Sequence, residues 1–131
     1  MTESGMLRIG DVAARTEQTL RTLRHWDEVG LLRPSGRTVG GFRLYTEADV
    51  ETVEVIRRMK PLGLSLDEMR SVLAQLAVLG DPDSPAPARR VARARLTEVR
   101  ADATERRQAL AARLALADEL LDLLDEQTYD D

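Results

Sequence analysis

A mainly α fold is what these 131 residues predict, and three observations carry the prediction. A helical stretch from Ile9 to near Thr16 and a second from Thr19 to Gly30 meet at a tight turn over Glu17 and Gln18. A glycine-rich segment with two short apolar runs follows, ending at Tyr45. From Ala88 to about Gln127 there is neither Gly nor Pro, so one uninterrupted helix of roughly 60 Å is expected there. Together these predict a winged helix-turn-helix head over residues 1–79, a linker over 80–87, a coiled-coil dimerisation helix over 88–127 and a tail over 128–131.

Each element has its own signal. Ile9, Val12 and Ala13 lie in helical register in the first stretch. Thr19 is placed to cap the second, where 100° per residue turns Leu20 and Leu23 inward and Arg21, Thr22 and His25 outward, with Arg24 on a flank. That outward face suits the groove of a nucleic acid, and Trp26 reads as the anchor of its helix in the core. Gly30 stands where a C-terminal cap is wanted.

Leu31-Leu32-Arg33 then reads as a short strand, with Phe42 to Tyr45 pairing back on it as a hairpin. Pro34-Ser35-Gly36 and Gly40-Gly41 supply turn chemistry on either side of Arg37 and Thr38. Strand alternation predicts Arg43 and Tyr45 on one face, Phe42 and Leu44 on the other. The result is a basic wing, in which Tyr45 fits equally as a groove contact and as a packing residue that closes the hairpin.

Thr46-Glu47-Ala48-Asp49 opens a third helix whose apolar stripe is Val50, Val53, Ile56 or Val55, and Met59. Pro61 and Gly63 interrupt it. Ser65-Leu66-Asp67-Glu68 is a capping box, and Leu66, Met69, Val72, Leu73 and Leu76 carry a fourth helix to Gly80. Three prolines between Gly80 and Pro87 mark the linker.

On the long helix, Ala92, Leu96, Val99, Ala103, Leu110, Ala117, Leu120 and Leu124 fit spacings of three and four, while Arg106 and Arg113 fall where apolar residues are wanted. Leu114 and Leu121 fit a shifted register, so an imperfect coiled coil with a stutter is expected, with Leu96, Val99, Leu110, Leu114, Leu120, Leu121 and Leu124 at the dimer contact. The net charge of −4 hides a segregation. Residues 89–113 carry eight Arg against three acids, and residues 114–131 carry seven acids and no base. An antiparallel homodimer sets the basic half of one helix beside the acidic half of the other, so the charges choose orientation and the leucines supply affinity.

Composition narrows the function classes. Without cysteine there is no disulfide, thiolate metal site or thiol switch. No apolar run reaches membrane-spanning length and the N-terminus lacks a signal-peptide pattern, so a soluble, cytoplasmic protein with no membrane partner is expected. His25 is the single histidine and has no companions for a metal site, so neither metal nor cofactor is expected. No catalytic constellation is present, and Asp27-Glu28 and Asp67-Glu68 read as ordinary helix-surface and cap positions, so no enzyme is expected.

Four ordered blocks add a resemblance. Ile9 to Ala13, Arg21 to Leu32, Gly41 to Asp49 and Leu62 to Glu68 together resemble the MerR family of bacterial transcription regulators, over residues 7–79. The resemblance implies a winged helix-turn-helix whose dimer, joined through an antiparallel coiled coil, binds a palindromic promoter operator and alters transcription by untwisting and bending the DNA. It assigns Thr19, Arg21, Thr22, Arg24 and His25 to the recognition helix, and Arg37, Thr38, Arg43 and Tyr45 to the wing. Arg57, Arg58 and Lys60 match the basic end of the third helix, which can hold the DNA backbone. Double-stranded DNA and a second copy are the implied partners, with RNA polymerase left open. The chain departs from the family at Glu17, usually Gly, at Gln18, usually apolar, and at His25-Trp26. It carries neither the cysteines of metal and redox sensors nor a separate effector domain, so neither sensor type is expected. The alternative function is an architectural or protein-interaction module whose coiled coil recruits a partner while DNA binding stays weak.

Overall fold

A computed structural model of the chain describes residues 5–129. Its packing forms two compact units, with the boundary between Ala74 and Gln75. The first unit runs β1 (Leu7–Arg8), α1 (Ile9–Thr16), α2 (Leu20–Glu28), β2 (Gly36–Arg37), β3 (Arg43–Tyr45) and α3 (Glu47–Met59), followed by a 3-10 turn at Lys60–Leu62 and the start of α4 (Leu66–Gly80). The remainder of α4 and the single helix α5 (Ala86–Thr128) make the second. The fold is mainly α, with a small winged sheet near the N-terminus and a long C-terminal helix, as the sequence predicts.

Local chemistry explains where α1 and α2 start and stop. The Asp11 carboxylate accepts from the Arg8 N–H at 3.1 Å and opens α1, and the buried Thr16 hydroxyl donates to the Val12 carbonyl near its end. Glu17 then adopts a left-handed backbone (φ 57°) that turns the chain toward α2. This is the conformation for which glycine is the default residue. Thr19 caps α2 by accepting from the Thr22 N–H at 3.0 Å. After α2, Gly30 (φ +72°) reverses the chain, and the Leu31 and Leu32 N–H groups both reach the Trp26 carbonyl, at 2.8 and 3.2 Å.

That closure corrects the wing. With their N–H groups committed to the end of α2, buried Leu31 and Leu32 form bends, not a strand. The hairpin partner of β3 is β2, paired Gly36 to Leu44 and Arg37 to Arg43, and β1 lies on the other side, paired Leu7 to Tyr45 and Arg8 to Leu44. The strand order is β1-β3-β2, so β3 is central. With α1 and α3 packed against β3, its adjacent residues Leu44 and Tyr45 are both buried.

The core of this unit is Val12, Leu23, Trp26, Leu31, Leu32, Leu44, Tyr45, Val50, Val53, Ile56, Met59, Met69 and Val72. On α3 the stripe takes Ile56 and leaves Val55 half-buried. Leu20, expected inside, is exposed: it stands in the first turn of α2, ahead of the residues that reach the core. The Thr46/Asp49 and Ser65/Glu68 capping boxes form as predicted, with both reciprocal bonds present in each.

In the second unit, the non-helical link spans residues 81–85. The long helix begins at Ala86, two residues earlier than predicted, because Pro87 falls in its first turn, where a missing N–H breaks no helical bond. Arg89 donates to the carbonyls of Leu79 and Asp81, at 3.1 and 2.9 Å, and ties the two helices of this unit at their ends. Ala92 is the one described residue of α5 that is buried; Leu110, Leu114, Leu120, Leu121 and Leu124 are all exposed. Among the described residues no helix is long and apolar enough to cross a membrane.

Candidate nucleic-acid interface

The exposed face of α2 is built around its cap. The Thr19 hydroxyl donates to the Thr22 hydroxyl at 2.9 Å while accepting from the Thr22 backbone, so the two polar side chains hold each other at the start of the helix. Leu23 and Trp26 are buried one and two turns on, which leaves Arg21, Arg24, His25 and Glu28 pointing away from the core around a shallow concavity. Among the described residues no carboxylate or hydrogen-bond partner engages the side chains of Arg21, Arg24 or His25. Two arginines and a histidine presented by a capped, anchored helix are what a phosphate backbone and base edges require.

Behind that face lies a group the sequence reading passed over. Asp27 is buried, not an ordinary surface acid, and its Oδ2 accepts from Arg43 Nε at 2.8 Å and from Arg37 Nη2 at 3.2 Å. The Arg43 hydrogen bond, aided by the charges of Arg43 and Arg37, holds the Asp27 carboxyl below the usual carboxylate range against the opposing effect of burial. One carboxylate of α2 therefore fixes both wing arginines. The helical periodicity does place Asp27 beside Trp26 near the core, which was the signal available in the sequence.

The wing is held internally as well. Thr38 closes its loop: its hydroxyl accepts from the Phe42 N–H at 3.1 Å, its own N–H reaches the Phe42 carbonyl at 2.9 Å, and its carbonyl accepts from Gly41 N–H at 2.9 Å. Gly41 makes this turn with φ +86°. Arg37 adds a bond from Nη1 to the Gly41 carbonyl at 3.2 Å. Val39 and Phe42 are left exposed at the loop, and the Arg8 guanidinium lies 5.8 Å from the Phe42 ring centre.

Of the two readings of Tyr45, its burial favours packing. It has no accessible surface and its hydroxyl has no hydrogen-bond partner among the described residues, so it is part of the core. Burial also raises its pKa. The helices α1 and α3 pack against β3, and this is where Tyr45 finds its cover.

At the end of α3, Arg57, Arg58 and Lys60 are exposed but differently engaged. Arg57 bonds Glu17 at 2.7 Å and approaches Glu54 at 3.6 Å, tying the turn between α1 and α2 to α3. Lys60 Nζ sits 5.7 Å from the Trp26 ring centre, over the residue that anchors α2. Arg58 has no recorded partner among the described residues. A further tie, Arg15 to Glu47 with two contacts of 2.8 Å, joins α1 to α3; this mutual bond raises the Arg15 pKa and lowers that of Glu47. Among the described residues no group of His, Cys, Asp and Glu could hold a metal ion.

Comparison with known proteins bears on this geometry. A family model described as MerR HTH family regulatory protein matches residues 7–76, and one described as MerR, DNA binding matches residues 50–128. The HTH-type transcriptional regulator ZntR of Escherichia coli strain K12 is 41% identical over 69 residues, 53% of this chain and 49% of that protein. The HTH-type transcriptional activator TipA of Streptomyces coelicolor is 42% identical over 65 residues, 50% of this chain and 26% of that protein. This chain thus spans about half or less of the length of the curated relatives it matches. Among solved structures, a MerR family transcriptional regulator from Bacillus cereus superposes with a TM-score of 0.65 at 30% identity, covering 94% of this chain and 80% of that one. HiNmlR, a MerR family regulator lacking the sensor domain and bound to promoter DNA, gives a TM-score of 0.65 at 24% identity, over 92% of this chain and 82% of that one, and so shares the fold.

Proposed function

Because the chain belongs to the MerR family of helix-turn-helix regulators, we propose that it is a sequence-specific regulator of transcription that binds a palindromic promoter operator as a homodimer. The observation that carries this reading is the face of Arg21, Arg24 and His25, unengaged among the described residues, on a helix whose wing arginines are locked beside it by Asp27. In this reading Arg21 and Arg24 meet phosphates and base edges, and Thr19 and Thr22 position the helix start on the backbone. Arg37, Thr38 and Arg43 act from the wing, and Arg57, Arg58 and Lys60 act on the flanking phosphates.

Two heads joined by α5 in antiparallel fashion would present two such faces to two half-sites. The regulatory step is distortion of the DNA between promoter elements, a use of deformability that brings those elements within reach of RNA polymerase. The promoter DNA bound by HiNmlR, which has the same fold, supports this reading. The function is that of a regulator and not of an enzyme.

The test is binding to a palindrome from the protein's own promoter region against scrambled DNA, across a salt series. Preference for the palindrome, with a salt slope that falls by about one unit in Arg21→Ala, supports the reading. Equal binding to both DNAs that ignores Arg21→Ala and Arg24→Ala sinks it and favours an interaction module built on α5.

A further inference from the structure

We infer that α5 pairs with a second copy of itself about a two-fold axis at Leu110. The inference rests on the homodimer reading above and adds its register. Its first support is a mirror symmetry in the helix: Arg106, Ala103, Val99 and Leu96 precede Leu110 by four, seven, eleven and fourteen residues, and Leu114, Ala117, Leu121 and Leu124 follow it by the same steps. At 100° per residue all nine positions fall within an arc of about 80°, so they form one stripe. The apparent stutter of the heptad is then the centre of a palindrome.

An antiparallel pair sets residues equally far from its axis at one level. Leu110 therefore meets the partner's Leu110, and Leu114 meets the partner's Arg106. Ala117 meets the partner's Ala103, Leu121 the partner's Val99 and Leu124 the partner's Leu96. A parallel pair has no use for this symmetry, because it matches each position with itself. The four leucines from Leu110 to Leu124 in this stripe are exposed in a single chain, and Leu96 and Val99 are half-exposed. Arg106 fits the stripe through its aliphatic stem, since its Nε is held at the edge by Asp102 at 2.9 Å.

Charge independently selects the same register. Arg93 and Arg100 each follow a stripe-side residue, Ala92 and Val99, while Asp118 and Asp125 follow Ala117 and Leu124, so all four lie on one flank. An antiparallel two-fold brings each flank against the same flank of the partner, which places Arg93 beside the partner's Asp125 and Arg100 beside the partner's Asp118. Shifting one heptad toward the N-terminus would put Ala92 and Arg89 into the stripe. Ala92 already has no accessible surface in one chain, and the Arg89 guanidinium is committed to two carbonyls. The opposite shift leaves Leu96 without an apolar counterpart.

The chain has no cysteine, so single-cysteine variants of the full chain read the register directly. Under mild oxidation Leu110→Cys is expected to become a disulfide-linked dimer, whereas Leu96→Cys and Leu124→Cys stay unlinked alone and link to each other when mixed. Linkage in mixed Ala103→Cys and Ala117→Cys proteins checks the same register at small residues, should Leu110→Cys lose helicity by circular dichroism. A dimer by sedimentation in which Leu110→Cys stays unlinked, or Leu96→Cys links to itself, overturns the register and leaves the homodimer standing. A monomer at micromolar concentration overturns both.

Discussion

Removing the Asp27 carboxylate is expected to destabilise the head by about 2–3 kcal/mol, because two cations depend on one buried acceptor. The Asp27 side chain is 10% exposed and that of Arg43 26%, so the 2.8 Å contact counts as a shielded, charge-assisted hydrogen bond, a class that contributes about 1.5–3 kcal/mol. Arg37 is 47% exposed and its 3.2 Å contact is screened, which adds about 0–1 kcal/mol. Asp27→Ala removes both, while Asp27→Asn keeps the volume and one acceptor oxygen and should lose about 1–2 kcal/mol. Urea unfolding followed by Trp26 fluorescence measures this locally, since Trp26 is the single tryptophan, is buried and adjoins Asp27. The pH dependence has a definite sign. The folded carboxyl titrates below its unfolded value, so its contribution is present above the unfolded pKa of about 4 and is lost as pH falls through the folded one. The gap between wild type and Asp27→Asn should narrow over that window. An Asp27→Ala variant within about 0.5 kcal/mol of wild type at neutral pH refutes the clamp, since that is the range of surface changes.

Other variants probe the remaining ties. Glu17→Gly relieves a left-handed backbone worth about 1 kcal/mol but loses the Arg57 pair and frees the unfolded chain, so urea midpoints should lie close to wild type. Glu17→Val keeps the strain and loses the pair, and should be the less stable by about 1–2 kcal/mol. Tyr45→Phe removes a buried hydroxyl that has no partner among the described residues and should leave stability unchanged or raise it by about 1 kcal/mol in thermal unfolding. Burial raises the Tyr45 pKa, so wild type should weaken as pH rises above about 10 while Tyr45→Phe is spared that loss. Lys60→Ala should reduce stability by about 0.5–1 kcal/mol in the same Trp26 assay, the measure of a cation near the ring.

The sequence by itself determined the helical frame. Caps at Thr19, Thr46 and Ser65, the run from Ala88 free of Gly and Pro, and the three-residue rhythm of Val50, Val53, Ile56 and Met59 are local signals that act through the backbone of their own segment. The cationic face of α2 was legible for the same reason, because helix geometry alone turns Arg21 and His25 away from Leu23. What only the tertiary structure decided were contacts between segments distant in the chain. That β3 is a central strand depends on a partner some 36 residues away, counted from the Arg8 to Leu44 pairing, and the burial of Tyr45 depends on α1 and α3 packing against that strand. That Asp27 gathers Arg37 and Arg43 depends on the wing folding back over the end of α2, made close by the bends at Leu31 and Leu32. An isolated acid on a helix looks like surface to any local rule; which cations reach it is fixed by where the rest of the chain comes to lie.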